Sequence, residues 1–170
     1  GGKSSAGTSE GKVSVAAAAA VNIIDSNTTA SVADGRTVST TGAFAVAASG
    51  NTDASANADG AAVGSGAQVG IGAAVSLNQL HTNTVAVVGS NTIVQANGVA
   101  IDATMTDVAG DTTHTVLAHA ASGAGGSKVG IAGSLALNLI DTRSEALVRS
   151  GASVIAGTGV IAVTAENNTD

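Results

Sequence analysis

The chain has 170 residues, 44% of them apolar, with a formal charge of −6, one Phe and no Trp, Tyr, Pro or Cys. Its six basic residues (Lys3, Lys12, Arg36, Lys128, Arg143, Arg149) stand singly, so it lacks the clustered positive patch and the aromatic platforms that nucleic-acid binding needs. Without cysteine it forms neither disulfides nor zinc-thiolate sites, and no apolar run reaches the ~20 residues of a membrane-spanning helix.

Gly1 to Lys12 is a Gly/Ser-rich lead-in whose end, SAGTSEGK, resembles VGSGAQ and SGAGGSK further on. It is expected to be the tail of a preceding repeat, in a chain cut from a longer one. Val13 to Asn22, VSVAAAAAVN, then begins a pattern that returns as VGIGAAVSLN from Val69 to Asn78 and VGIAGSLALN from Val129 to Asn138. The spacing from Val13 to Val69 and from Val69 to Val129 predicts a single repeat array, with units over 13–68, 69–128 and 129–170, the last one truncated.

Each copy alternates at period two, which is the signature of a strand. One row is Val, Ile and Leu with some Ala or Gly, and the other is uniformly small: Gly70, Gly72, Ala74 and Ser76, then Gly130, Ala132, Ser134 and Ala136. A solvent-facing row would carry Lys, Glu, Thr or Arg. The small row therefore predicts close approach of another backbone layer, with the strand covered on both sides.

Behind each long strand comes a polar stretch, Ile24 to Thr29, Leu80 to Thr84 and Ile140 to Ser144, read as a corner. Short strands are expected at Ala30 to Val32, Val85 to Val88 and Ala146 to Val148, then turns at Asp34-Gly35, Ser90-Asn91 and Ser150-Gly151. A further short strand and a turn at Gly42, Gly98 and Gly159 lead into the alternating AFAVAA, VAIDAT and VIAVTA. The second interval is longer than the first, and its extra residues fall near Met105 to Gly110, where a loop is expected.

Frequent turns, short strands and no helical period point to an all-β fold, a parallel β-helix or β-solenoid repeat array. The alternative is an antiparallel β-sandwich-like repeat stack. At roughly 20 residues per coil, each repeat would make three coils. Asn22, Asn78 and Asn138 would then be separated by about 14 Å.

The succession VGIAGSLALNLIDTRSEALV and GASVIAGTGVIAVTAEN resembles the repeats of giant bacterial surface adhesins of the filamentous-haemagglutinin-like class, over essentially the whole chain. The resemblance implies a structural segment of an extracellular, cell-surface fibre or adhesin stalk. Its partners would be neighbouring repeats of the same chain, identical filaments and a host or cell-surface ligand.

The residues that invite chemistry have plainer roles. His81, His114 and His119 are expected as solvated residues, not metal ligands, since His114 and His119 are five apart and point to opposite faces of a strand. Asp34-Gly35 and Asp59-Gly60 suit turns, and the G-G-x-G-x-D calcium nonapeptide is absent. GSGAQVGIG and GAGGSKVGIAG lack a phosphate-loop ending and lead into strands. Two matches to the glycosylation sequon, at Asn27 and Asn167, carry no expectation in a bacterial protein. Catalytic, cofactor-binding and metal residues are expected to be none, and the chain is expected not to be an enzyme. An ice-binding or other surface-binding solenoid is the alternative function, suggested by the Thr- and Ala-rich faces and the flat regular repeat, although Thr82/Thr84, Thr104/Thr106 and Thr113/Thr115 fall mainly in the middle repeat and not in a regular ladder. A polysaccharide-processing β-helix enzyme is less favoured, because no acidic pair converges on a cleft.

Overall fold

The computed structural model describes residues 1–7, 11–64 and 66–170. Thr8 to Glu10, inside SAGTSEGK, and Ser65, inside GSGAQVGIG, lie outside the described residues. The described chain is built of strands: β1 (Gly2–Ala6), β2 (Val13–Val32), β3 (Thr37–Ser39), β4 (Phe44–Gly50), β5 (Ala54–Ala62) and β6 (Val69–Val88). β7 (Ile93–Gln95), β8 (Val99–Met105), β9 (Val116–Ala124), β10 (Val129–Val148), β11 (Ser153–Ile155) and β12 (Ile161–Ala165) complete the series, with no helix among the described residues.

The strands form four parallel three-stranded sheets, in the orders β1-β5-β9, β10-β6-β2, β11-β7-β3 and β12-β8-β4. Consecutive strands never neighbour each other in a sheet, so the fold is the parallel solenoid and not the antiparallel stack. Thr37 pairs with Ile93 and Ile93 with Ser153, in each case its counterpart in the next sequence repeat. One sequence repeat is therefore one coil. The expected three coils of about 20 residues are overturned, and each repeat adds a single strand spacing of about 4.8 Å to each sheet.

The polar corners are overturned as well. β2, β6 and β10 each run 20 residues without a break, straight through Asp25 to Thr29 and its counterparts. Thr and Ser are compatible with extended backbone, and the alternation holds its phase, so that Thr82 and Thr84 are buried in the same row as Gly72 and Ala74. Beyond each long strand the chain turns where the backbone enters the left-handed region, at Gly35 (φ 66°), Asn91 (φ 52°) and Gly151 (φ 72°). These equivalent positions carry the residues that tolerate it best.

By contacts the chain divides into two units, each drawing on all three repeats. The first comprises Gly1–Ile24, Asp53–Leu80 and Thr115–Ile140. In it β1-β5-β9 lies against the small row of the leading halves of β2, β6 and β10, and the interlayer is almost entirely alanine: Ala18, Ala20, Ala56, Ala58 and Ala74. A Cβ placed on Gly72 would come within 2.6 Å of the Gly60 carbonyl oxygen, which shows how closely the backbones approach. The small row is covered as expected on β2 and β6. Gly130, Ala132 and Ser134 are exposed, because β10 is an end strand of its sheet and no strand beyond β9 lies over it among the described residues. The large row faces solvent, which corrects the expectation of burial on both sides: on the central strand β6, Ile71 and Val75 remain 37% and 43% exposed, with Val69 and Leu77 half-buried.

The second unit comprises Asp25–Thr52, His81–His114 and Asp141–Asp170. Here the trailing halves of β2, β6 and β10 enclose a branched aliphatic core with the other two sheets. Val46, Val88, Val94, Val99 and Ile101 are buried together, flanked by Phe44, Val38 and Val154. The extra residues of the second repeat form a small loop between β8 and β9, closed by a Val108–Asp111 bridge and a left-handed Ala109-Gly110 pair.

Candidate functional site

The parallel register brings like residues of successive repeats into contact, and the clearest case is asparagine. Asn78 Nδ2 donates to Asn138 Oδ1 at 3.0 Å and to the Leu117 carbonyl at 2.6 Å, while Asn138 Nδ2 donates to the Val116 carbonyl at 3.0 Å. The wide separation expected from three coils per repeat is thus replaced by direct hydrogen bonding between adjacent rungs. Asn22 Nδ2 and Asn78 Oδ1 are both buried without a partner, and they are the two atoms that would extend the ladder to the first rung in the same donor-to-acceptor direction. Ser76 follows the same logic, its hydroxyl donating to the Ala56 carbonyl at 2.7 Å across the interlayer.

The histidines do not converge. His114 is buried, its Nδ1 accepting from the Thr52 amide at 2.9 Å, so it is a structural residue of the loop and not the solvated one expected. His119 lies on the exposed row of β9, and His81 Nδ1 sits 3.1 Å from Asp141 Oδ2 on the surface of the next rung. Among the described residues no three His, Cys, Asp or Glu side chains come together as metal ligands. Asp34 accepts from the Ser90 amide at 2.7 Å, a turn role between rungs. Asp59 lies in the interior of β5, where the expected turn at Asp59-Gly60 does not occur. Of the sequon asparagines, Asn27 bonds locally to Asp25, while Asn167 donates to Thr142 on β10.

Asp111 accepts from the Thr113 amide at 2.9 Å and the Thr113 hydroxyl at 2.8 Å. These bonds hold its carboxyl below the ordinary aspartate range, the amide contributing most. A lowered folded-state value means that the loop gains stability from ionised Asp111 above the ordinary range and loses it as pH falls through the lowered value. The Thr113 amide chemical shift is therefore expected to titrate with a midpoint below the ordinary aspartate value. A midpoint at or above that value in an NMR titration would count against the bonding described.

The outer faces of the first unit differ sharply in chemistry. The sheet β1-β5-β9 presents Lys3, Ser5, Asn57, Asp59 and His119 to solvent, with Leu117 the one large apolar side chain beside them, and a shallow depression lies among Lys3, Ser5, Asn57 and Asp59. No protein-family model, curated protein or solved structure matches the chain. The opposite sheet presents Val13, Val15, Val21 and Ile23 from β2, Ile71 and Val75 from β6, and Val129, Ile131, Leu135, Leu137 and Leu139 from β10. Along the same strands the outward row changes character after this stretch, to Asp25 and Asn27 on β2 and to Asp141, Arg143 and Glu145 on β10. The alternation that marks these strands offers no sign that the large row is left open.

Proposed function

We propose that the chain is a structural repeat segment of an extracellular bacterial fibre or adhesin stalk, with no chemistry of its own. The observation that carries this reading is that one sequence repeat makes one rung in register with the next. Each unit is thereby extended by adding copies, with stacked like residues and parallel ladders supplying the cohesion. The sequence resemblance to filamentous-haemagglutinin-like surface repeats points to the same setting, a secreted and cell-surface protein. Thr82 and Thr84, one of the three Thr-x-Thr pairs, are buried and leave no threonine row there for a crystal surface.

Antibodies raised against the chain are expected to label intact cells of the source organism and to lose the label after surface proteolysis. Labelling only of permeabilised cells would overturn the proposal, and thermal hysteresis in a solution of the chain would favour the ice-binding alternative instead.

A further inference from the structure

We infer that the large apolar row of the first unit is an interaction surface for a second copy of this chain, laid sheet to sheet over it. Eighteen outward positions make up this face: alternate residues from Val13 to Ile23, from Val69 to Gln79 and from Val129 to Leu139. Gln79 is the one polar side chain among them, and none is charged. The exposure belongs to the face and not to a sheet edge, since it persists at Ile71 and Val75 on the central strand.

Size and charge select the occupant. Three strands at about 4.8 Å spacing and eleven residues at about 3.3 Å rise make a face of about 14 by 36 Å, roughly 500 Å². That matches the largest apolar patches found on monomers, which are commonly functional. Two such faces together remove about 1,000 Å² from water, the lower bound of a specific protein interface. Each additional repeat widens the face by another strand spacing, so pairing strengthens with repeat number.

A lipid surface fits less well. Interfacial binding draws on basic residues beside the apolar face, whereas the adjoining outward positions carry Asp25, Asp141 and Glu145 against Arg143, on a chain of net charge −6. The face also has relief that suits a like partner. The repeat register sets Ala17, Ala73 and Gly133 side by side as a trough, next to a ridge of Val15, Ile71 and Ile131. Two such surfaces can interlock, and an isologous contact of this kind closes on itself as a dimer.

The inference deepens the fibre reading by naming a lateral partner. Because the chain has no cysteine, one introduced thiol reports on the contact without background. Ala73→Cys, at the centre of the face, is expected to give a disulfide-linked dimer at least tenfold faster under mild oxidation than Asn27→Cys on the polar half of β2, also exposed. Val75→Lys with Ile131→Lys is expected to abolish the dimer in sedimentation velocity while leaving the circular dichroism and unfolding midpoint of the monomer unchanged. A monomer at all concentrations overturns the inference. So does a dimer in which Ala73→Cys reacts no faster than Asn27→Cys, which would assign association to the strand edges. Binding of the wild-type chain to phosphatidylcholine vesicles without self-association also overturns it, in favour of a lipid partner. None of these outcomes bears on surface labelling of cells, so failure here and failure of the fibre reading are distinguishable.

Discussion

Gly72→Ala is expected to destabilise the chain by about 1 to 3 kcal/mol, and Gly133→Ala to leave it unchanged or stabilise it by about 0.4 to 1 kcal/mol. The two glycines occupy long strands of successive repeats, but on opposite rows. A methyl group at Gly72 meets the backbone carbonyls of Gly60 and Gly123, and no flexible side chain is there to yield. At Gly133 nothing lies within 4 Å, and the added methyl only restricts the unfolded chain. For a chain of this size the loss at Gly72 corresponds to a fall of several degrees in the unfolding midpoint. Gly72→Gln should be worse, since it also buries an amide, whereas Ala132→Gln, on the exposed row of β10, should stay within about 0.5 kcal/mol of wild type. Thermal or chemical unfolding of dilute samples, where lateral pairing is negligible, reads all four. Equal midpoints for the two glycine variants would show that the sheets of the first unit are not in close contact.

The contrast between these glycines shows what the sequence conveys and what it withholds. Period-two alternation makes the long strands legible, and the uniformly small row correctly marks where a second backbone layer comes close. The end of each long strand is misread when polarity alone stands for a turn. Asp25 to Thr29 contains no Gly and no left-handed residue, and the chain bends only from Asp34-Gly35 onward. The fate of the large row is illegible for a different reason. Val13, Ile71 and Leu135 look like core residues, and only the folded chain shows that no second layer lies over their row among the described residues.

Coil length is the costliest misreading, although a signal for it is present. An interval as long as that from Val13 to Val69 fits either three short coils or one long one, and turn spacing alone favours the short ones. The identity of Asn22, Asn78 and Asn138 favours the long one, because amides stack usefully only on adjacent rungs. Three coils apart they would have no physical reason to match. The same argument explains the aligned left-handed positions Gly35, Asn91 and Gly151, which lie on successive rungs. The absence of a candidate catalytic or metal cluster from the sequence reading rests on scattered acidic residues and isolated histidines. The folded chain leaves His81, His114 and His119 in three separate environments.

Asn78→Asp is expected to cost about 3 to 5 kcal/mol at neutral pH, more than Asn78→Ala at about 1 to 3 kcal/mol. Asn78 is fully buried, and its amide nitrogen serves both the Leu117 carbonyl and Asn138 Oδ1. Alanine removes that donor from two acceptors, the Leu117 carbonyl and the Oδ1 of the exposed Asn138, and leaves a small void. Aspartate is nearly the same size but has no donor when ionised, so it sets a negative charge against two oxygens at a fully buried position. Protonation restores one O–H donor, which gives the prediction a direction in pH: the folded-state pKa of the introduced carboxyl is raised, and the deficit shrinks as pH falls through it. The alanine variant has no such group and should track the wild type across the same range. Chemical unfolding of the three chains at neutral and mildly acidic pH tests this. A deficit for Asn78→Asp that is no larger than that of Asn78→Ala, or that does not narrow on acidification, would mean that the asparagine ladder is hydrated and contributes little to cohesion between rungs.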